Sequence, residues 1–280
     1  MPFAHLGNYK LYYEEYLPPS RDSSSSGEKS GQETALPPLI FLHGFTLDRR
    51  MWQPQVNFFS RFYRVILLDS RGHGLSDAPE TGYSRADRVN DLRKFVEYLE
   101  IRKFHLIGLS MGGSTAIGYA LKNQDRLASL TLISTGAAGF DVGKKIARID
   151  QIARQRGLPA AFAKWKQATL TWFSNEQKAI RELMERMIDE HSGAIWLDPM
   201  RGRYQREDDL KQVHIIKVPT IIFAGAADRV FLSLARQLHE RIPNSRLSIY
   251  EGVGHMVNLE AAERFNAELA QFLQSCTANV

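Results

Sequence analysis

The sequence predicts an α/β protein built on a mostly parallel sheet with helices on both faces. Three observations predict it. Short apolar runs of strand length alternate with segments of helical period. The pentapeptide Gly108-Leu109-Ser110-Met111-Gly112 stands where one such run meets a helix. From about 138 to 213 the strand-like runs give way to helical segments alone, which reads as one insertion into the α/β core.

Taken in order, Tyr9 to Tyr16 is a first strand, rich in tyrosine. Residues 18–37 carry Ser23-Ser24-Ser25-Ser26, Gly27 and Gly31 among charges. That composition cannot bury apolar surface, so a mobile surface loop is expected there. Pro38 to Leu42 and Arg64 to Asp69 are the next strands, followed by a helix over Arg85 to Glu100 with Val89, Leu92, Val96 and Leu99 on one face. Phe104 to Ile107 is a buried strand, Ser114 to Leu121 a helix, and Ser129 to Ile133 closes the first half of the core. Helices are expected at Lys144–Arg156, Ala160–Phe173 and Glu176–Glu190. Thr220 to Gly225 and Arg246 to Tyr250 are strands, and Ala261 to Leu273 is a final amphipathic helix. The expected organisation is a core of 1–137 and 214–280 with a helical insertion at 138–213.

Composition sets bounds on function. The 280 residues, 44% hydrophobic and 24% charged, suffice for one large core. No apolar run approaches the roughly 20 residues that span a bilayer, so no membrane partner is expected. The start, Met1-Pro2-Phe3-Ala4-His5 leading to Lys10 and Glu14, lacks the apolar stretch of a secretion signal. A single cysteine, Cys276, forbids an internal disulfide and fits a reducing compartment, so a cytoplasmic location is expected. The formal charge of +5 raises nucleic-acid binding as an option, but the basic residues are scattered and form no stripe.

The chemistry concentrates around Ser110. A Gly-x-Ser-x-Gly between strand and helix is the pattern of a nucleophile elbow, whose strained turn exposes the hydroxyl at a helix N-terminus. A neutral serine needs a histidine base and a carboxylate to orient that base. Asp228 follows the strand ending at Gly225, and His255 follows the strand ending at Tyr250. Both therefore stand in loops at strand ends, in the order serine, acid, histidine. The oxyanion of an acyl-transfer intermediate needs backbone donors, assigned to the amides of Met111 and Phe45. His43 competes with His255 as base, but its place before the serine, beside Gly44, favours a structural hydrogen bond. Phe162, Trp165, Trp172, Phe173 and Trp196, with Val230 and Met256, are candidates for an apolar substrate pocket, although packing between insertion and core explains each aromatic singly. Arg201 and Arg203 fit a substrate carboxylate and a solvated surface equally well. No His-x-x-x-His or paired-cysteine metal ligand set is present, so neither metal nor other cofactor is expected.

These pieces, together with Asp69-Ser70-Arg71-Gly72-His73-Gly74-Leu75-Ser76-Asp77, resemble the α/β-hydrolase family, in family order from about residue 38 to 273. The elbow and the Arg-Gly-His-Gly turn look most like small bacterial esterases and 3-oxoadipate enol-lactonases. The resemblance implies an eight-stranded sheet, a helical cap over the active site, and a serine hydrolase of a small-molecule ester or lactone with Ser110, Asp228 and His255 as triad. It also implies that the Asp69 to Asp77 segment is mainly a structural turn. Carbon–carbon bond hydrolases of aromatic breakdown and cofactor-free haloperoxidases share the triad, and a ligand receptor on the same scaffold is the non-enzyme alternative. An aspartate-nucleophile dehalogenase or epoxide hydrolase is disfavoured by the elbow serine. Oligomeric state is not legible.

Overall fold

The computed structural model describes residues 2–19, 36–140, 144–169, 177–199 and 208–277. Its strands are β1 (Phe3–His5), β2 (Lys10–Tyr16), β3 (Leu39–Leu42), β4 (Val65–Leu68), β5 (Phe104–Leu109), β6 (Leu127–Ile133), β7 (Thr220–Gly225) and β8 (Ser245–Tyr250). They form one eight-stranded sheet in the order β1-β2-β4-β3-β5-β6-β7-β8. The β1–β2 and β2–β4 pairs are antiparallel, and every pairing from β4 to β8 is parallel. The expected fold class is therefore the observed one.

Helices alternate with these strands: α1 (Gln53–Phe59), α2 (Arg85–Tyr98), α3 (Met111–Asn123), α4 (Lys144–Arg156), α5 (Leu158–Thr169), α6 (Lys178–Glu190), α7 (Ala194–Leu197), α8 (Leu232–Arg241), α9 (Val257–Glu260) and α10 (Ala262–Thr277). β1, α1 and α8, together with the short α7 and α9, are elements the periodicity does not announce. The serine-rich stretch expected as a loop lies, over 20–35, outside the described residues, as do Trp172, Phe173, Arg201 and Arg203. No helix among the described residues is long and apolar enough to cross a membrane.

The central strands are buried on both sides, which is why they read as unbroken apolar runs. Their side chains alternate between two cores. Phe41, Leu67, Ile107, Leu109 and Phe223 face one core, completed by Val56 and Phe59 of α1 and by Phe265, Leu269 and Phe272 of α10. Ile40, Leu42, Leu106, Leu132 and Ile222 face the other, against Leu92, Phe95 and Val96 of α2, Ile117 and Tyr119 of α3, and Leu234 and Leu238 of α8. Burying each such side chain contributes about 1.5–3 kcal/mol, so the two helical layers hold the sheet from both faces. Locally, α2 starts where it does because Ser84 and Asp87 form a reciprocal capping box.

The four helices α4 to α7 all lie between β6 and β7 in sequence. Ala161, Trp165, Met184, Met187, Ile188 and Trp196 bury their side chains in the first of the two cores. The insertion is thus packed on the core through apolar contact rather than tethered beside it.

One buried titratable group is set by the fold alone. His105, on β5, is fully buried, and its Nδ1 lies 2.7 Å from Ser129 Oγ. Its Nε2 has no hydrogen-bond partner among the described residues. Burial without a counter-charge holds this imidazole down at about 4, against an ordinary 6.5. Below pH 6.5 the unfolded chain therefore binds a proton that the folded chain refuses until about pH 4, and stability falls across that window as pH drops. Denaturant titrations at pH 6.5 and pH 4.5 are expected to show the wild type losing about 2 kcal/mol more than His105→Asn over the interval. Equal losses in the two proteins would contradict the assignment.

Candidate active site

Ser110 sits at the turn between β5 and α3 with φ 54° and ψ −108°. A non-glycine residue in that region costs about 1–3 kcal/mol and persists only where its surroundings fix it. Here the Ser110 amide donates to the Ile133 carbonyl on β6, while its own carbonyl accepts from the amides of Ser114 and Gly136. The flanking glycine is required sterically. A Cβ on Gly112 would run into the Leu42 carbonyl, so glycine allows α3 to start against the end of β3.

Asp228 and His255 follow β7 and β8, at the same carboxyl edge of the sheet as Ser110. His255 Nδ1–H donates to Asp228 Oδ2 at 2.7 Å, with both groups buried. The other carboxylate oxygen accepts from the amides of Val230 (3.2 Å) and Phe231 (3.1 Å). Burial pushes the Asp228 carboxyl upward, but the His255 ring and the two amides outweigh it and hold the group below the usual carboxylate range. A donated Nδ1–H leaves Nε2 as the basic nitrogen of His255. The two loops are tied to each other as well. The Ala227 amide donates to the Val253 carbonyl, and a Cβ on Gly225 would meet the Gly254 carbonyl. Glycine at 225 thus permits the approach that brings acid and imidazole within reach.

The third component is the turn after β3. Leu47 N–H donates to Gly44 C=O at 3.2 Å, closing a turn over Phe45 and Thr46, with Thr46 at φ 60°. His43 Nδ1–H donates to the same Gly44 oxygen (2.8 Å), and His43 Nε2 accepts the Ser70 amide (2.9 Å). Both ring nitrogens are thereby used in fixing loops, and burial holds the ring below the ordinary histidine range. The structural reading of His43 agrees with this geometry. Asp69, expected in a structural turn, accepts from the Arg49 and Leu75 amides and pairs with the Arg49 guanidinium.

Ser110, His255 and the Gly44–Leu47 turn line one narrow cavity, walled further by Leu109, Thr169, Met184, Ile188 and Met256. Of the sequence candidates for the pocket, Met256 is on that wall. The remaining described ones do not line it. Trp165 and Trp196 are fully buried one layer back, packed edge-on against the Phe45 ring at 5.1 and 6.0 Å, so they support the wall rather than form it. Phe162 packs on Trp196 in the same cluster. Val230 is exposed, and its backbone, not its side chain, serves the site by donating to Asp228.

Two contributors escaped the sequence reading. Glu260 of α9 accepts the amides of Gly254 (3.1 Å) and Met256 (3.0 Å), clamping the chain on both sides of His255. The spacing of a carboxylate four residues after Met256, at the first turn of a helix, is the signal that could have found it. Thr46 accepts the indole N–H of Trp165 at 2.6 Å across 119 residues of sequence, a contact that leaves no local signature.

Comparison with known proteins agrees with this architecture. Residues 37–262 match the alpha/beta hydrolase fold family. A putative 2-succinyl-6-hydroxy-2,4-cyclohexadiene-1-carboxylate synthase of Bacillus subtilis is 30% identical, covering 85% of this chain and 90% of its own length. 3-Oxoadipate enol-lactonase 1 of Acinetobacter baylyi is 28% identical, with 88% and 91% covered. Among solved structures, the enol-lactonase of Burkholderia xenovorans superposes with a TM-score of 0.82 at 25% identity, covering 98% of this chain and all of that one (100%). The chain belongs to the α/β-hydrolase family.

Proposed function

We propose that the protein is a serine hydrolase that cleaves the ester or lactone bond of a small carboxylic acid derivative through an acyl-enzyme. The observation that carries this reading is the buried 2.7 Å hydrogen bond between His255 and Asp228, on an imidazole that shares a cavity with the strained Ser110. In the proposed sequence, His255 Nε2 takes the Ser110 hydroxyl proton as Oγ bonds to the substrate carbonyl carbon. Asp228 stabilises the imidazolium. The amides of Phe45 and Met111 hold the oxyanion, a contribution of about 3 kcal/mol per donor in comparable sites. The tetrahedral adduct then expels the alcohol, which leaves with the proton from His255. Water, deprotonated by the same nitrogen, releases the acid and restores the serine.

The wall chemistry supports a narrower substrate class. Leu47, Leu109, Met184, Ile188 and Met256 are apolar, Thr169 is neutral, and no lysine or arginine lines the cavity among the described residues. Against these walls alone a buried carboxylate would find no counter-charge, at a cost of several kcal/mol. The reading is therefore a short, uncharged acyl group rather than the carboxylated substrate named in the relatives' activities.

Incubation with a fluorophosphonate is expected to label Ser110, read by peptide mass spectrometry, and Ser110→Ala is expected to reduce p-nitrophenyl acetate turnover to background. A label elsewhere, or turnover that survives the substitution, would overturn the proposal. In a panel of p-nitrophenyl esters, acetate and butyrate should exceed a mono-succinate ester by at least about tenfold in kcat/KM, since one unpaired buried charge exceeds 1.4 kcal/mol. A preference for the succinate would contradict the uncharged acyl class.

A further inference from the structure

We infer that Trp165, which touches no reacting atom, is a positioning residue that sets the oxyanion turn from the helical insertion. The inference rests on the serine-hydrolase reading. The turn holds two consecutive peptide planes, and each is fixed from a different part of the molecule. The Gly44–Phe45 plane carries the Phe45 N–H on one edge and the Gly44 oxygen on the other. That oxygen is pinned by the Leu47 amide and His43 Nδ1–H, both from the core. The Phe45–Thr46 plane is pinned through the Phe45 oxygen, which accepts the Thr46 hydroxyl at 2.7 Å. The orientation of that hydroxyl is in turn set by the Trp165 indole N–H donating to the same Oγ1 at 2.6 Å. Thr46 is β-branched and stands at φ 60°, a conformation its own preferences oppose. Without the indole, the hydroxyl has one partner fewer to hold it there.

Trp165 also grips the turn by its ring, edge-on to Phe45 at 5.1 Å and 86°. It occupies α5 one helical turn before Thr169, on the same face, and Thr169 lines the cavity. A single helix therefore touches the acyl space at one residue and holds the oxyanion turn at another. Through this arrangement, contact of the acyl group with the insertion is coupled to the geometry of the donor that binds the oxyanion. Oxyanion donors act over tenths of an ångström, so a loosened turn lowers kcat more than it raises KM.

The test uses Trp165→Phe and Thr46→Val in the full chain, with p-nitrophenyl butyrate kinetics, thermal melting, and inhibition by an alkyl trifluoromethyl ketone that adds to Ser110 as a tetrahedral oxyanion. Each variant is expected to lose about 10- to 100-fold in kcat with KM within about twofold, and to bind the ketone more weakly by a similar factor. The double variant is expected to be no worse than the poorer single one, because both remove the same hydrogen bond. Thr46→Ser should recover part of the rate that Thr46→Val loses. If Trp165→Phe destabilises the fold, the near-isosteric Thr46→Val carries the test. Full kcat in Thr46→Val, multiplicative losses in the double variant, or a raised KM with unchanged ketone affinity would each overturn the inference. A wild type whose turnover is unaffected by Ser110→Ala would instead remove the hydrolase reading, and this inference with it.

Discussion

The site depends on loops being brought together at one edge of a parallel sheet with almost no space between their backbones. β5, β7 and β8 end side by side, and the turns that follow them carry Ser110, Asp228 and His255. Glycine at 112 and 225 removes the side-chain atoms that would hold neighbouring chains apart. The Asp228–His255 hydrogen bond follows from that approach, and its burial makes it an electrostatically stiff element of the site. The strain at Ser110 is tolerated because hydrogen bonds to β6 and α3 surround it.

A second level of order surrounds these groups. Glu260 clamps the His255 segment by both flanking amides, Asp69 gathers the turn after β4, and His43 links the Gly44–Leu47 turn to the end of β4. Each of these side chains acts on backbone rather than on the cavity. The helical insertion contributes differently. It supplies Thr169, Met184 and Ile188 to the wall, and through Trp165 and Trp196 it encloses the Phe45 ring. The insertion is thus part of the wall and not only a cover.

Much of this was legible in the sequence, for identifiable reasons. Buried parallel strands are continuous apolar runs, so β3 to β7 stand out, and α4 was bounded correctly at Lys144 and Arg156. The Gly-x-Ser-x-Gly motif, and an acid and a histidine each placed after a strand, follow from chain order alone. What stayed hidden is non-local or short. β1 has three residues and pairs antiparallel at the sheet edge, too brief for a period. α1 has seven residues and opens with a proline near its start, a pattern shared with loops. Wall or packing stays open for Trp165 and Trp196 in the sequence because composition reports that an aromatic is buried, but not whether it faces a cavity or the residue behind one. The Trp165–Thr46 bond spans two parts of the fold and has no periodic trace.

The account stands or falls on whether Ser110 becomes acylated during turnover. Rapid quenching of a p-nitrophenyl acetate reaction, followed by peptide mass spectrometry, measures this directly. The account predicts an acetyl group on the Ser110 peptide that forms as fast as p-nitrophenol is released. Release of p-nitrophenol with that peptide unmodified, or with the acetyl group on another residue, would contradict it.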